Sequence, residues 1–293
     1  EGSTIIAGYP WFLDWGRDTL ICTRGLIAAG MTNQVREILL QFAAFENKGT
    51  LPNMIHGGNA SNIDTSDAPL WFISACRDLC MYQGNTDFLN AKVHQQRSIT
   101  DVIISIIEGY IAGTVNGIKA DPDSMLVYSP AHYTWMDTNY PAATPREGYP
   151  VEIQALWFAA LSFAYTATGT KRWKELADKV AANLRKFFWL EGKGFLSDCL
   201  HASKGIPAAK AVPDDHIRPN QLFTITLGPV TDPKMSTSIL NVTASLLVPG
   251  AIRTLSPLTV NYPLPFEGKA GKLLNNPFSP YWGTYAGNED TSR

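Results

Sequence analysis

The residues best suited to chemistry lie between positions 128 and 152, in the run YSPAHYTWMDTNYPAATPREGYPVE. Asp137 follows Trp135 and Met136 there, so its carboxyl group stands beside large apolar groups that exclude water, the setting a general acid needs. A connection this long inside a compact domain is usually a functional loop or a disordered one. Disorder does not fit a segment carrying Tyr128, His132, Tyr133, Trp135, Met136, Tyr140 and Tyr149. The loop is therefore expected to form part of a pocket between two helical segments.

The elements that must hold this loop are helices. A mostly apolar segment over 19–29 closes at Gly30, and Thr32 or Asn33 is expected to cap a second helix whose Val35, Ile38, Leu39 and Phe42 share one face. A polar loop over 48–67, with Gly57-Gly58 as turn formers, leads to a helix over 70–83. Ile99, Val102, Ile103, Ile106, Ile107 and Tyr110 mark the buried stripe of the next. Beyond the central loop, helices are expected over 152–168 and 173–189, the second with Trp173, Leu176, Ala177, Val180, Leu184 and Phe187 on its apolar face. Their turn, Gly169-Thr-Lys-Arg-Trp173, has the same glycine-to-ring spacing as Gly84 and Phe88, which suggests repeated helical hairpins. A loop over 192–220, a short helix from Arg218 and a last helix over 235–247 follow. From Pro249 the chain is Pro/Gly-rich and aromatic, with Tyr262, Phe266, Phe278, Tyr281, Trp282 and Tyr285, and reads as a further binding loop. About eight helical segments, separated by alternating short and long loops, fit an all-α toroid of paired helices with its long loops at one mouth.

Composition narrows the function. A net charge of −2 with scattered Lys and Arg offers no basic stripe for nucleic acid or anionic lipid. The apolar runs are too short to span a bilayer. Eight Trp, 11 Tyr and 13 Phe, many in loops beside Asp, Asn, Arg and Gln, suit stacking on apolar sugar faces with polar groups at the hydroxyls; filling a large core is the plainer alternative. Cys22, Cys76, Cys80 and Cys199 form no CxxC or Cys/His cluster, and Cys76 and Cys80 read as buried thiols in a reducing compartment. The five histidines give no metal or nucleophile pattern; His56 and His132 are pocket candidates and His94 a surface residue. No metal or cofactor is implied, and the cytoplasm is the expected location. Glu1-Gly-Ser without an initiator methionine and the polar stretch 288–293 suggest a fragment of a longer protein, incomplete at both ends and lacking C-terminal helices.

Seven motifs occur together and in order: Ala7-Gly-Tyr-Pro-Trp-Phe-Leu-Asp-Trp-Gly-Arg-Asp18; Leu51-Pro-Asn53; Asp64-Thr-Ser-Asp67 with Leu70-Trp-Phe72; Thr134-Trp-Met-Asp137; Thr144-Pro-Arg146; Val151-Glu-Ile153 with Ala155-Leu-Trp157; and Arg218-Pro-Asn-Gln221. Together they resemble the amylo-α-1,6-glucosidase domain of glycogen debranching enzymes, over about residues 5–290. The resemblance implies a single catalytic (α/α)6 domain over 1–293 that removes the α-1,6-linked glucose left at a trimmed branch point of glycogen or limit dextrin, by hydrolysis with inversion. Such chemistry needs an acid and a base about 6.5–9.5 Å apart. Asp137 stands where the family has its TWMD aspartate and is the expected acid, with Trp135 shaping the pocket. The family's base comes from a Tyr-His-Gln/Asn-Gly segment that this chain does not reach, and Glu289 and Asp290 are the substitutes near its end.

The resemblance also carries over sugar-binding candidates. Trp15, Arg17 and Asp18 fall in the WGRD turn, where Arg17 and Asp18 form either a charge-assisted pair presented to glucose hydroxyls or a structural ion pair at a helix start. Asp67 and Trp71 are candidates of the same kind, with helix capping the plainer role for Asp64 and Asp67. Arg146 and Glu152 either contact sugar or brace the loop. Arg218, Asn220 and Gln221 suit hydroxyl recognition, with helix capping the plainer role for Asn220. Three rivals compete with this reading. A terpene-cyclase-like enzyme wants DDxxD, which Asp214-Asp215-His216-Ile-Arg218 does not supply. A trehalase-like or other α-glucosidase toroid shares the chemistry, and a glycan-binding module lacks the carboxyl pair.

Overall fold

A computed structural model describes residues 3–56, 59–93, 96–137, 144–265, 267 and 271–281. The expectations attached to Gly57-Gly58, His94, Tyr140, Phe266, Trp282, Tyr285, Glu289 and Asp290 lie outside these residues. Eight α-helices occur among the described residues: α1 (Gly16–Ala28), α2 (Thr32–Phe45), α3 (Ala68–Gln83), α4 (Ile99–Ala112), α5 (Val151–Thr168), α6 (Lys171–Phe188), α7 (Leu222–Thr226) and α8 (Pro233–Ala244). They belong to two compact units. One comprises Glu1–Ala120 with Ala159–Ala177, the other Asp121–Phe158 with Asp178–Arg293, so α5 and α6 each begin in one unit and end in the other.

In the first unit, α1 packs on α2 and α3. The stripe Val35, Ile38, Leu39 and Phe42 of α2 is buried, and so is every residue of the stripe expected on α4. Thr32 is the first helical residue of α2 rather than its cap; Met31 holds the cap position and contributes no side-chain bond. Ser98 does cap α4, its Oγ accepting the Asp101 N–H while the Asp101 carboxylate accepts the Ser98 N–H. Glu46, buried at the end of α2, accepts from Gly49 N–H, Ser105 Oγ and Arg97 Nη2, which fastens α2 to α4. Gly84 and Gly169, the paired hairpin glycines, both adopt φ +69°, a left-handed conformation that any side chain would strain.

Gly109 lets α4 approach the 48–49 turn closely. A Cβ there would lie 2.6 Å from the Gly49 Cα and 2.7 Å from the Lys48 carbonyl oxygen, both backbone atoms that cannot swing away. Alanine normally gains about 1 kcal/mol over glycine inside a helix. Gly109→Ala should reverse that sign and destabilise by roughly 1–3 kcal/mol, read as a lowered thermal midpoint.

In the second unit the expected loops contain short strands, so the all-α expectation is corrected to a helix-rich fold with small sheets. Gly148–Pro150 pairs antiparallel with Cys199–His201, which pairs in turn with Val212–Pro213. Strands of two or three residues are too short to display the alternation that signals a strand. Gly148, at φ +127°, has no room for a side chain: a Cβ would stand 2.2 Å from the Leu200 carbonyl oxygen. Gln154 at the start of α5 completes the ladder, its Oε1 accepting the Val127 N–H at 2.7 Å and its Nε2 donating to the Val127 and Pro150 carbonyls. Trp157 Nε1 donates to the Met125 carbonyl. On α6, Phe188 rather than Phe187 is buried, and Leu176 is half-buried.

Candidate active site

The candidates fall into two groups, one in each unit. In the first, Trp15 is half-buried and pairs through its backbone with Met54, and the Gly16 N–H donates to the Asn53 carbonyl. This sets the start of α1, with Arg17 buried in its first turn. Arg17 Nε donates to Asp67 Oδ2 at 2.6 Å, with both side chains buried. The expected Arg17–Asp18 pair is therefore corrected: Asp18 is exposed, and Arg17 reaches across 50 residues of sequence to Asp67 instead. Asp67 occupies the N-cap position of α3 without capping it, because its other oxygen accepts from Thr65 Oγ1; Thr65 Oγ1 in turn accepts the Ala68 N–H. Trp71 is buried one turn further along α3.

The second group is built around four buried charges. Arg146 donates from Nη1 and Nη2 to the two oxygens of Glu152, each at 2.5 Å, in a fork-to-fork pair. Its Nε stands 2.8 Å from Asp198 Oδ2, and Arg218 Nε stands 3.4 Å from the same oxygen. The four side chains are at most 4% exposed. Two positive and two negative charges balance, which is the condition for keeping them out of water. Burial pushes the Glu152 carboxyl above its ordinary value despite the neighbouring guanidinium, while its pull on the Arg146 charge is outweighed by Asp198 and Glu152, which keep that guanidinium protonated.

The cluster grips both described ends of the central loop. Arg146 Nη1 donates to Thr134 Oγ1 at 3.2 Å, and Arg218 Nη2 donates to Thr144 Oγ1 at 2.8 Å. Asn220 donates from Nδ2 to Asp198 Oδ1 at 2.8 Å and accepts the Trp135 indole N–H at 3.0 Å. Gln221 is buried, accepting the Leu196 N–H. Asp137 follows Met136 on this held segment and is only partly buried, and the Trp135 side of the loop is open, with that residue 38% exposed. His132, half-buried beside them, is held below its usual pKa by burial, although Asp137 pulls the other way; His56 is exposed.

Asp198 is the member that sequence reasoning missed. It is a single acidic residue inside the apolar run Phe195-Leu-Ser-Asp-Cys-Leu200, and a charge enclosed by such neighbours was the one available signal. Asp214, seen at first only as a failed metal motif, supports it. Asp214 Oδ1 accepts the Asp198 N–H at 2.9 Å, and Oδ2 lies 2.9 Å from His201 Nε2 and 3.3 Å from His216 Nδ1. His216 Nε2 donates to the Tyr262 carbonyl, and the Tyr262 ring stacks on His201 at 4.3 Å.

Burial works against the Asp214 charge, but the hydrogen bonds of His201 and His216 outweigh it and hold the carboxyl well below its usual range. Burial likewise opposes the His216 charge, and Asp214 more than offsets it, so that pKa is raised. The lowered carboxyl contributes stability that is present above its unfolded value near about 4 and is lost as pH falls below it. The raised imidazole contributes stability that is complete below about 6.5 and is lost as pH rises through its folded value. The gap in urea midpoint between wild type and Asp214→Asn should therefore be widest at about pH 5–6 and narrower at about pH 3 and 8. A gap constant across that range would show that ionisation of this group contributes nothing.

Among the described residues no helix is long and apolar enough to cross a membrane. The fold is similar to two solved glycosidases. One is a rhamnosidase from Klebsiella oxytoca with rhamnose bound, 11% identical, with a TM-score of 0.51 and coverage of 82% of this chain and 42% of that one. The other is a GH78 family rhamnosidase of Bacillus sp. GL1, 18% identical, with a TM-score of 0.57 and coverage of 79% and 22%. The chain thus spans less than half the length of either, and at these identities the likeness is one of fold. The sequence itself matches the family described as amylo-alpha-1,6-glucosidase over residues 1–275, nearly its whole length. By that match, the chain belongs to the amylo-alpha-1,6-glucosidase family of glycoside hydrolases.

Proposed function

We propose that this chain is a cytoplasmic glucosidase domain that removes α-1,6-linked glucose from branch points of glycogen or limit dextrin by inverting hydrolysis. Asp137 is the general acid that protonates the departing glycosidic oxygen, and Trp135 forms the apolar wall beside it. The observation that carries this reading is the contrast among the carboxyl groups of the second group. Glu152 and Asp198 are sealed against arginines, whereas Asp137 stands partly exposed on a segment fixed at Thr134 and Trp135. An acid must reach substrate, and a brace need not.

The reaction also asks for a base about 6.5–9.5 Å from the acid, leaving space for the attacking water; the candidates for that role are Glu289, Asp290 and a carboxylate outside this stretch of sequence. Of the sugar-binding candidates, Trp15, Asp18 and Trp135 are accessible to ligand, and the buried ones act through the groups they hold. The helical hairpins are part of one (α/α)6 catalytic domain, and a complete ring would hold about four helices more than the eight described.

The test is glucose release from a glucosyl-branched maltooligosaccharide, by this chain and by the full-length protein, with the anomer of the fresh product read by NMR. β-Glucose from the full-length protein alone supports the reading and puts the base beyond Arg293. β-Glucose from both puts it within these residues. Fresh α-glucose overturns inversion, and binding without turnover by either favours a glycan-binding module.

A further inference from the structure

We propose that Asn220 is a positioning residue for Asp137, acting through the indole of Trp135 from the buried carboxylate of Asp198. The inference rests on the reading of Asp137 as the general acid.

An ionised carboxylate only accepts, so Asp198 Oδ1 forces the amide of Asn220 to face it with Nδ2, at 2.8 Å. That choice leaves Oδ1 pointing the other way, at the Trp135 N–H, 3.0 Å distant. A flipped amide would set oxygen against oxygen and N–H against N–H. The orientation of Asn220 is thus dictated by Asp198, which is itself held by Arg146, by Arg218 and, through its own N–H, by Asp214. Asn220 is 3% exposed, at the turn Pro219–Gln221 that enters α7, so little else competes for its amide.

The consequence reaches the acid through three consecutive residues. Thr134 accepts from Arg146, Trp135 donates to Asn220, and Met136 Sδ lies 3.8 Å from Asn220 Nδ2. Asp137 is next in the chain, so its backbone enters from a segment tied at each preceding residue. Of these ties, the indole bond is the one that runs from a partly exposed ring to a buried anchor. A displacement of about 1 Å at a reacting group costs about 100-fold in rate. Loss of the tie therefore predicts slower proton donation with little change in sugar affinity.

The experiment uses the full-length protein and two substrates. A glucosyl-branched maltooligosaccharide needs its leaving oxygen protonated; α-glucosyl fluoride does not, because fluoride departs as the anion. Asn220→Ala removes the amide. Trp135→Phe keeps a ring at a partly exposed site and removes only the N–H, so it separates the bond from the folding of the buried cluster. Each is expected to lower kcat on the branched substrate by about 10–100-fold, with KM within about twofold and a loss on the fluoride at least about tenfold smaller. The double variant should be no slower than the slower single one, because both break the same bond. Equal losses on both substrates, multiplying losses in the double variant, or a change confined to KM would overturn the inference while leaving the glucosidase reading intact. A wild type that cleaves neither substrate overturns that reading, and this inference with it.

Discussion

Asp137→Asn should cut glucose release from an α-1,6-branched oligosaccharide by about 100- to 10,000-fold, the usual contribution of a positioned acid, while leaving binding of the same sugar within a small factor. The amide has the shape of the carboxylic acid and retains hydrogen-bonding capacity, but it has no proton to give to the departing oxygen. The effect should therefore fall on kcat rather than KM, the pattern of a group whose interaction forms in the transition state. The thermal midpoint should move little, since Asp137 is only partly buried. Steady-state kinetics with calorimetric binding of an uncleaved analogue checks both halves. A variant that turns over at the wild-type rate would remove Asp137 from the role of acid and, with it, the carboxyl contrast on which the proposed function depends.

Arg146→Met should show the opposite profile, a large loss of stability whatever the assay of activity reports. Its guanidinium is fully buried and neutralises two carboxylates, Glu152 and Asp198, that are themselves at most 3% exposed. Removing one partner of such a set leaves uncompensated charge out of water, at a cost of roughly 3–5 kcal/mol. Glu152, whose carboxyl burial already pushes up, then binds a proton more readily, so the deficit should shrink as pH falls. Arg146→Met combined with Glu152→Gln should recover part of the loss, because one of the stranded charges is gone. Urea unfolding of wild type, single and double variants decides the matter. A single variant within about 1 kcal/mol of wild type would mean that the cluster tolerates an unbalanced charge, contrary to the geometry.

How much of this was visible in the residues differs by element. The stripes of α2 and α4 were legible because each repeats at helical spacing and meets one continuous core, so Val35 through Phe42 and Ile99 through Tyr110 are buried as their spacing predicts. The hairpin glycines were legible too, since Gly84 and Gly169 both end a helix in a conformation that disfavours a side chain. The pairing of Arg17 was not. The chain neighbour Asp18 offered a nearer partner than Asp67, and only the folded backbone shows that Asp18 points to solvent. For Arg146 and Glu152 both roles stood open in the residues, and the structure shows two short bonds joining them. Asp198 escaped notice because its partners are 52, 20 and 22 positions away in Arg146, Arg218 and Asn220, and long-range polar pairing leaves no periodic trace.

The interleaved course of the chain has a consequence for biosynthesis. Residues 159–177 belong with the first 120, and residues 121–158 belong with those after 178. During synthesis, residues 1–120 therefore cannot complete their contacts until α5 and the start of α6 have emerged, and by then residues 121–158 still await those after 178. Neither unit is one continuous stretch of chain, so neither can finish on its own before the other begins, as simple tandem domains can. Truncations placed between residues 120 and 177 would strand both, so deletion series on this chain should be cut outside that interval.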